Sequence, residues 1–211
     1  MEPSAPDSRD FYFHLNFRFT QVPEFYSIDS FFPAISQHGL NSCVACAIAS
    51  ALFFNRRIHE KSVFKPSVLY IYYFARKDKK VDSGCTIKNA LSQIKKYGAC
   101  SETSYPYKKE HFDKKPHDWC ITAGKSHKAN FVYYRVNIDT VSIKNAIFRC
   151  MPVICGISSF GYLGHCILLV GYDNDVFYFI DSEPENFEVR KMSCNKLLSH
   201  CTEMWVLDKF F

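Results

Sequence analysis

Between Cys43 and Phe54 the chain runs for twelve residues without a charge, and Ser50 is the one polar side chain among them. The run, Cys-Val-Ala-Cys-Ala-Ile-Ala-Ser-Ala-Leu-Phe-Phe, is rich in small helix formers and apolar nearly all round. A helix of that kind belongs inside a core and not on a surface. A polar turn, Ser36 to Ser42, opens onto it. Asn55-Arg56-Arg57 closes it with charges suited to a helix C-terminus. The rest of the chain therefore has to wrap around this segment. With 211 residues and 47% hydrophobic content it can do so, as one domain or as two packed lobes. Twenty Phe and thirteen Tyr exclude a disordered chain, which could not hide so much apolar surface.

Other elements follow from the pattern. Residues 1–30 read as an extended arm anchored by Phe11, Phe13, Phe17 and Tyr26, part of it crossing onto the second half of the chain. A helix is expected from Pro66 to about Arg76, since proline suits a first helical turn. Another starts near Thr86, runs through Ala90, Leu91, Ile94 and Tyr97, and stops at Gly98. Residues 100–130 are polar and read as a loop-rich crossing. A short helix is expected from about Thr140 to Arg149, before Met151-Pro152. From Val153 the character changes. Residues 153–157, 166–170, 176–180 and 204–207 read as strands, with a turn at Tyr172-Asp173-Asn174-Asp175. Helices first and strands later predict an α+β fold of two lobes with a cleft between them. The helical lobe is expected at about 31–130 and a β-rich, barrel-like lobe at about 131–211.

The net charge of +5 is a mild excess. Its densest stretches, Arg76 to Lys80 and Lys108-Lys109, read as solvated loop faces. No groove-reading motif accompanies them, so no nucleic-acid partner is expected. No stretch reaches the ~18 apolar residues of a spanning helix, and residues 1–10 lack the apolar core of a signal peptide. A membrane partner is not expected, and a cytoplasmic location is. The ten cysteines are then expected as free thiols. His111, His117, Cys120 and His127, and likewise Cys194, His200 and Cys201, form loose groups without the paired spacing of structural zinc sites, so neither metal nor cofactor is expected.

Cys43 stands where a polar turn becomes a helix. A thiol is a useful nucleophile only as thiolate, and a helix N-terminus together with a neighbouring imidazolium favours that anion. A redox pair with Cys46 is the competing reading, but no thioredoxin-type strand leads into it. Gln37 lies six residues before Cys43, where a side-chain amide can donate to an oxygen that becomes negative during attack on a carbonyl. His165 opens an apolar strand, 122 residues after Cys43, and Asp181 follows sixteen residues later.

The segment Gln37-His38-Gly39-Leu40-Asn41-Ser42-Cys43-Val44-Ala45 resembles the nucleophile motif of the papain-like cysteine peptidases. Pro66 to Tyr70, Asp82 to Thr86, Ile94 to Cys100, Tyr105-Pro106-Tyr107 and Gly164 to Tyr172 continue the resemblance over roughly residues 31–207. It implies a papain-like fold that binds a protein or peptide and hydrolyses it through an acyl-thioester on Cys43. His165 would be the base, Gln37 would complete the oxyanion hole with the Cys43 amide, and Asp181 would orient the imidazole. Gly84, with Ser83 and Gly164, would line the substrate. Three departures stand out. Asp181 occupies the place of an Asn, Val44 that of a Trp, and Glu183-Pro184 that of a Trp-Gly. A compact form without a long inhibitory pro-segment resembles bacterial and large-DNA-virus members, and a viral source would place the protein in the virion or host cytoplasm. The same residues would also serve an isopeptidase or transamidase, or persist in a binding scaffold whose site has decayed. The N-terminal arm could lie in the cleft.

Overall fold

The computed structural model describes residues 1–13, 21–33, 35–59, 63–127, 131–159, 162–183 and 188–209. The expected anchor Phe17 lies outside them. Helix α1 spans Cys43–His59 and is the hub, with Val44, Ala45, Ile48 and Ala49 wholly buried. It runs past Arg57 because Arg56 is not a solvated end charge. Its guanidinium folds over the Phe64 ring at 4.3 Å and donates to the His127 carbonyl at 3.0 Å.

Around α1 pack α2 (Val68–Ala75) and α3 (Ile87–Tyr97). Pro66 precedes α2 instead of opening it, because Ser67 is the cap: its hydroxyl accepts the Tyr70 N–H and donates to the Tyr105 carbonyl. Thr86 caps α3 by accepting the Asn89 N–H, and Gly98 ends it at φ 70°, as the sequence pattern predicts. The crossing at 100–130 is less irregular than expected, since it holds α4 (Asp118–Ser126). Arg76 also departs from expectation. It is buried, not solvated, and its guanidinium sits over the rings of Tyr72 and Phe112 and donates to the carbonyls of Lys79, Val81 and Phe112. Five carbonyl and ring partners replace the water that a buried cation has lost.

The second half forms one antiparallel sheet in the order β2-β7-β3-β4-β5-β6: β2 (Phe131–Arg135), β7 (Cys201–Lys209), β3 (Val153–Ser159), β4 (Tyr162–Asp173), β5 (Val176–Ile180) and β6 (Val189–Ser193). Strand β1 (Phe25–Ser27) pairs with β4, so the arm does reach the sheet. Tyr12 bridges to Arg135, and Phe13 is buried. Strand alternation sorts β4 between two cores. Cys166, Leu168 and Val170 face the helices, while Ile167 and Leu169 face the core built with α5 (Thr140–Phe148) and α6 (Cys194–His200). A sheet covered on both faces is rigid, and β4 is its central member carrying His165. The described residues thus form the expected α+β fold, a helical part against an antiparallel β-rich part. All ten cysteines are free.

Candidate active site

Helix α1 begins at Cys43, where the Ser42 carbonyl accepts the Cys46 N–H at 3.0 Å. The turn before it is fastened from two sides. Tyr107 donates to the Gln37 carbonyl, and its oxygen lies 3.0 Å from the Ser42 hydroxyl. Asn41 bonds Asp82, by its N–H to the carboxylate at 3.1 Å and by its side-chain amide to the carbonyl at 2.7 Å. Tyr72 also donates to Asp82 and accepts the Gly84 N–H. The nucleophile turn and the segment 82–84 are therefore one hydrogen-bonded unit.

Gln37 faces the sheet. Its N–H donates to the Ser182 carbonyl at 2.9 Å, and its Oε1 accepts from the Ser182 hydroxyl at 2.9 Å. With Oε1 engaged, Nε2 is left as the donating end of the amide. On the sheet side, β4 brings His165 near Cys43, close enough for the sulfur to favour a charged ring. His165 Nε2 lies 2.7 Å from Asp181 Oδ1, just past the end of β5. The same oxygen accepts the Glu183 N–H at 3.1 Å, and Arg190 of β6 donates from Nη1 to Oδ2 at 2.9 Å. The structure thus brings Gln37, Cys43, His165 and Asp181 together from three stretches of chain, the nucleophile turn with the start of α1, β4 and the end of β5.

Electrostatics follow from these contacts. Burial works against a charged imidazole, but the bond to Asp181 and the nearby Cys43 sulfur outweigh it and raise His165 to about 10. Burial also opposes the Asp181 charge, and His165, the Glu183 N–H and Arg190 together hold its carboxyl below its ordinary value. Cys46 is buried one turn into α1 and its thiol is pushed up to about 12, chiefly by burial. A thiol held protonated there is a core side chain and a poor partner for a redox pair with Cys43.

The residues assigned to substrate lie where the N-terminal arm runs. Gly84 is buried at φ +73°, and a Cβ there would stand 3.9 Å from the Met1 Cα. At Gly164 a Cβ would meet the Met1 carbonyl oxygen at 2.3 Å, and the Met1 ammonium donates to the Gly164 carbonyl at 3.0 Å. Only a residue without a side chain permits that approach. The Met1 side chain reaches Gly156 of β3. Ser4 then donates twice to Glu203 and accepts the Lys88 N–H, and Lys88 pairs with Asp7 and Asp10. Residues 1–10 therefore lie between α3 and the sheet. Ser83 is exposed at the rim of a cavity of about 590 Å³ that Glu2, Gly84 and Cys85 also line.

Among the described residues, one group of His, Cys, Asp or Glu side chains comes close enough to share a metal ion, namely His165, Asp181 and Glu183. It is the same site, with the imidazole already committed to the carboxylate. No helix of the described residues is long and apolar enough to cross a membrane. Ser182, Tyr107 and Arg190 are the site residues that the sequence reading did not assign. The signal for Arg190 was Asp181 itself, since a carboxylate beside a buried imidazole calls for a second donor.

No family model matches the chain. An uncharacterized peptidase C1-like protein of Acanthamoeba polyphaga mimivirus is 34% identical over 134 residues, 58% of this chain and 43% of that protein. The chain thus spans less than half the length of that relative. Among solved structures, xylellain, a cysteine protease from Xylella fastidiosa, superposes with a TM-score of 0.91 at 25% identity, covering 99% of this chain and 95% of that one. Bromelain protease from Ananas comosus shares the fold at a TM-score of 0.71 and 15% identity, covering 90% of this chain and 100% of that one.

Proposed function

The chain belongs to the papain-like cysteine peptidase family, and from that premise we propose that it hydrolyses peptide bonds through a thioester on Cys43. The reaction starts with the proton of the Cys43 thiol on His165, as a thiolate–imidazolium pair. The sulfur attacks the scissile carbonyl, and its oxygen becomes an oxyanion beside Gln37 Nε2 and the Cys43 N–H. His165 then gives its proton to the leaving amine as the carbon–nitrogen bond breaks. Water, deprotonated by the same ring, attacks the thioester and releases the acid and the thiol. Asp181 keeps the ring turned toward Cys43 throughout.

The observation that carries this reading is the junction of the two halves at Gln37 and Ser182. The proposed oxyanion donor is bonded through backbone and side chain to the residue after Asp181, so donor, nucleophile and base are held in one frame. The test is turnover of a fluorogenic peptide library by the whole chain. Cys43→Ala should abolish cleavage while leaving the fold intact by circular dichroism. Unchanged cleavage in Cys43→Ala overturns the proposal.

A further inference from the structure

Arg190 has no part in the bond-making steps above, yet it contacts the group that governs them. It lies opposite Phe179 in the β5–β6 register. Residues two apart share a face, so Asp181 follows Phe179 on the side that Arg190 reaches diagonally. The guanidinium carbon stands 5.6 Å from the Phe179 ring centroid, and Nη1 meets Asp181 Oδ2 at 2.9 Å. The Arg190 side chain is 51% exposed and its partner carboxylate 8%. The cation is thus solvated on one side and presses on a nearly buried anion from the other.

That contact answers a difficulty raised by an aspartate at this position. A bare carboxylate against the ring would hold the imidazolium proton too firmly, and a general acid works best when it releases its proton near the working pH. It could also turn about its own axis and swing the ring with it. A guanidinium on Oδ2 prevents that turn and draws off part of the charge that His165 feels, leaving Oδ1 to act much as the single oxygen of an amide. The charged or titratable groups around the ring are Cys43 from α1, Asp181 and Glu183 after β5, and Arg190 from β6, with the Met1 ammonium at the neighbouring Gly164 carbonyl. Of these, Arg190 alone is a fixed cation on the far side of Asp181.

We propose that Arg190 is a positioning residue of the site, holding Asp181 so that it orients the His165 ring and shares its charge. The proposal rests on the peptidase reading of Cys43 and His165.

The experiment follows the His165 ring by NMR titration in the whole chain, alongside kcat and KM on a cleaved peptide across pH. In Arg190→Ala the His165 titration should move upward by about half a pH unit, because a nearby positive charge is gone. The alkaline limb of kcat should move the same way, and kcat should fall about tenfold while KM stays within about twofold. Arg190→Lys should restore the titration more fully than the rate, since a point charge lacks the planar fork. In an Asp181→Asn background, Arg190→Ala should leave kcat nearly unchanged, because the carboxylate it positions is gone. Arg190→Gln supplies the uncharged variant if Arg190→Ala folds poorly. An unmoved titration, or losses that add fully with Asp181→Asn, overturns the role of Arg190. A titration that moves as stated in a chain that cleaves no peptide overturns the peptidase reading, and with it the catalytic sense of the proposal.

Discussion

Asp181 places one carboxylate between an imidazole and a guanidinium, and the pH behaviour of the site follows from that arrangement. His165 is raised from its ordinary value to about 10. The imidazolium form is therefore lost only as pH rises through about 10, and cleavage should keep an alkaline limb there. By the same linkage, the contact contributes stability in full below the unfolded value of about 6.5 and loses it progressively up to the folded value. Asp181→Asn removes the largest attraction on the imidazolium while burial still opposes it. Its alkaline limb should fall by at least one pH unit in kcat/KM profiles; an unmoved limb would show that another group controls it. Gln37, Cys43 and His165 were legible in the sequence because the chemistry demands particular residue types at particular places in an ordered chain. Ser182, Tyr107 and Arg190 were not, because a hydroxyl or a guanidinium serves many purposes and only the assembled contacts select one.

At the scale of elements, α1 and α3 were legible for local reasons: an apolar run without charge in the first, and a threonine cap and a glycine stop in the second. Helix α4 was hidden. Its cap residue, His117, makes no side-chain cap bond, and Gly124 lies within it. Tertiary packing explains that glycine. A Cβ there would stand 2.3 Å from the Tyr70 hydroxyl and 2.9 Å from the Tyr97 carbonyl oxygen, which Tyr70 itself bonds. Gly124→Ala improves local helix propensity by about 1 kcal/mol, yet the clash with packed groups should reverse the sign, for a net loss of about 1–3 kcal/mol. Urea unfolding measures the difference, and a stabilised variant would show that Tyr70 and α4 separate freely. Strand β6 was missed for a related reason: it lies at an end of the sheet order, where one-sided pairing leaves polar side chains in its pattern. Arg76 is the converse case, a charge in a basic run that the fold buries with its own carbonyls.

For the molecule as a whole, the arm ties the helical and sheet halves together. It is fastened to both sides, through Ser4 to Glu203, through Lys88 to Asp7, and at Met1 to Gly164. Met1 lies between Gly84 and Gly164, where the family resemblance would lay a substrate backbone. Removing residues 1–10 should therefore raise the rate of Cys43 alkylation by a bulky reagent several-fold, read by peptide mapping, with stability reduced by the loss of the Glu203 and Lys88 contacts. Equal alkylation with and without these residues would show that the arm leaves Cys43 open.

The tether adds a kinetic consequence. A segment joined by a short stretch of chain competes for its groove at an effective concentration of about millimolar, whatever the dilution of the protein. On the peptidase reading, a free peptide would have to displace that built-in rival. Its apparent KM would then report on the grip of the arm as much as on the groove, and adding more enzyme would leave that handicap unchanged.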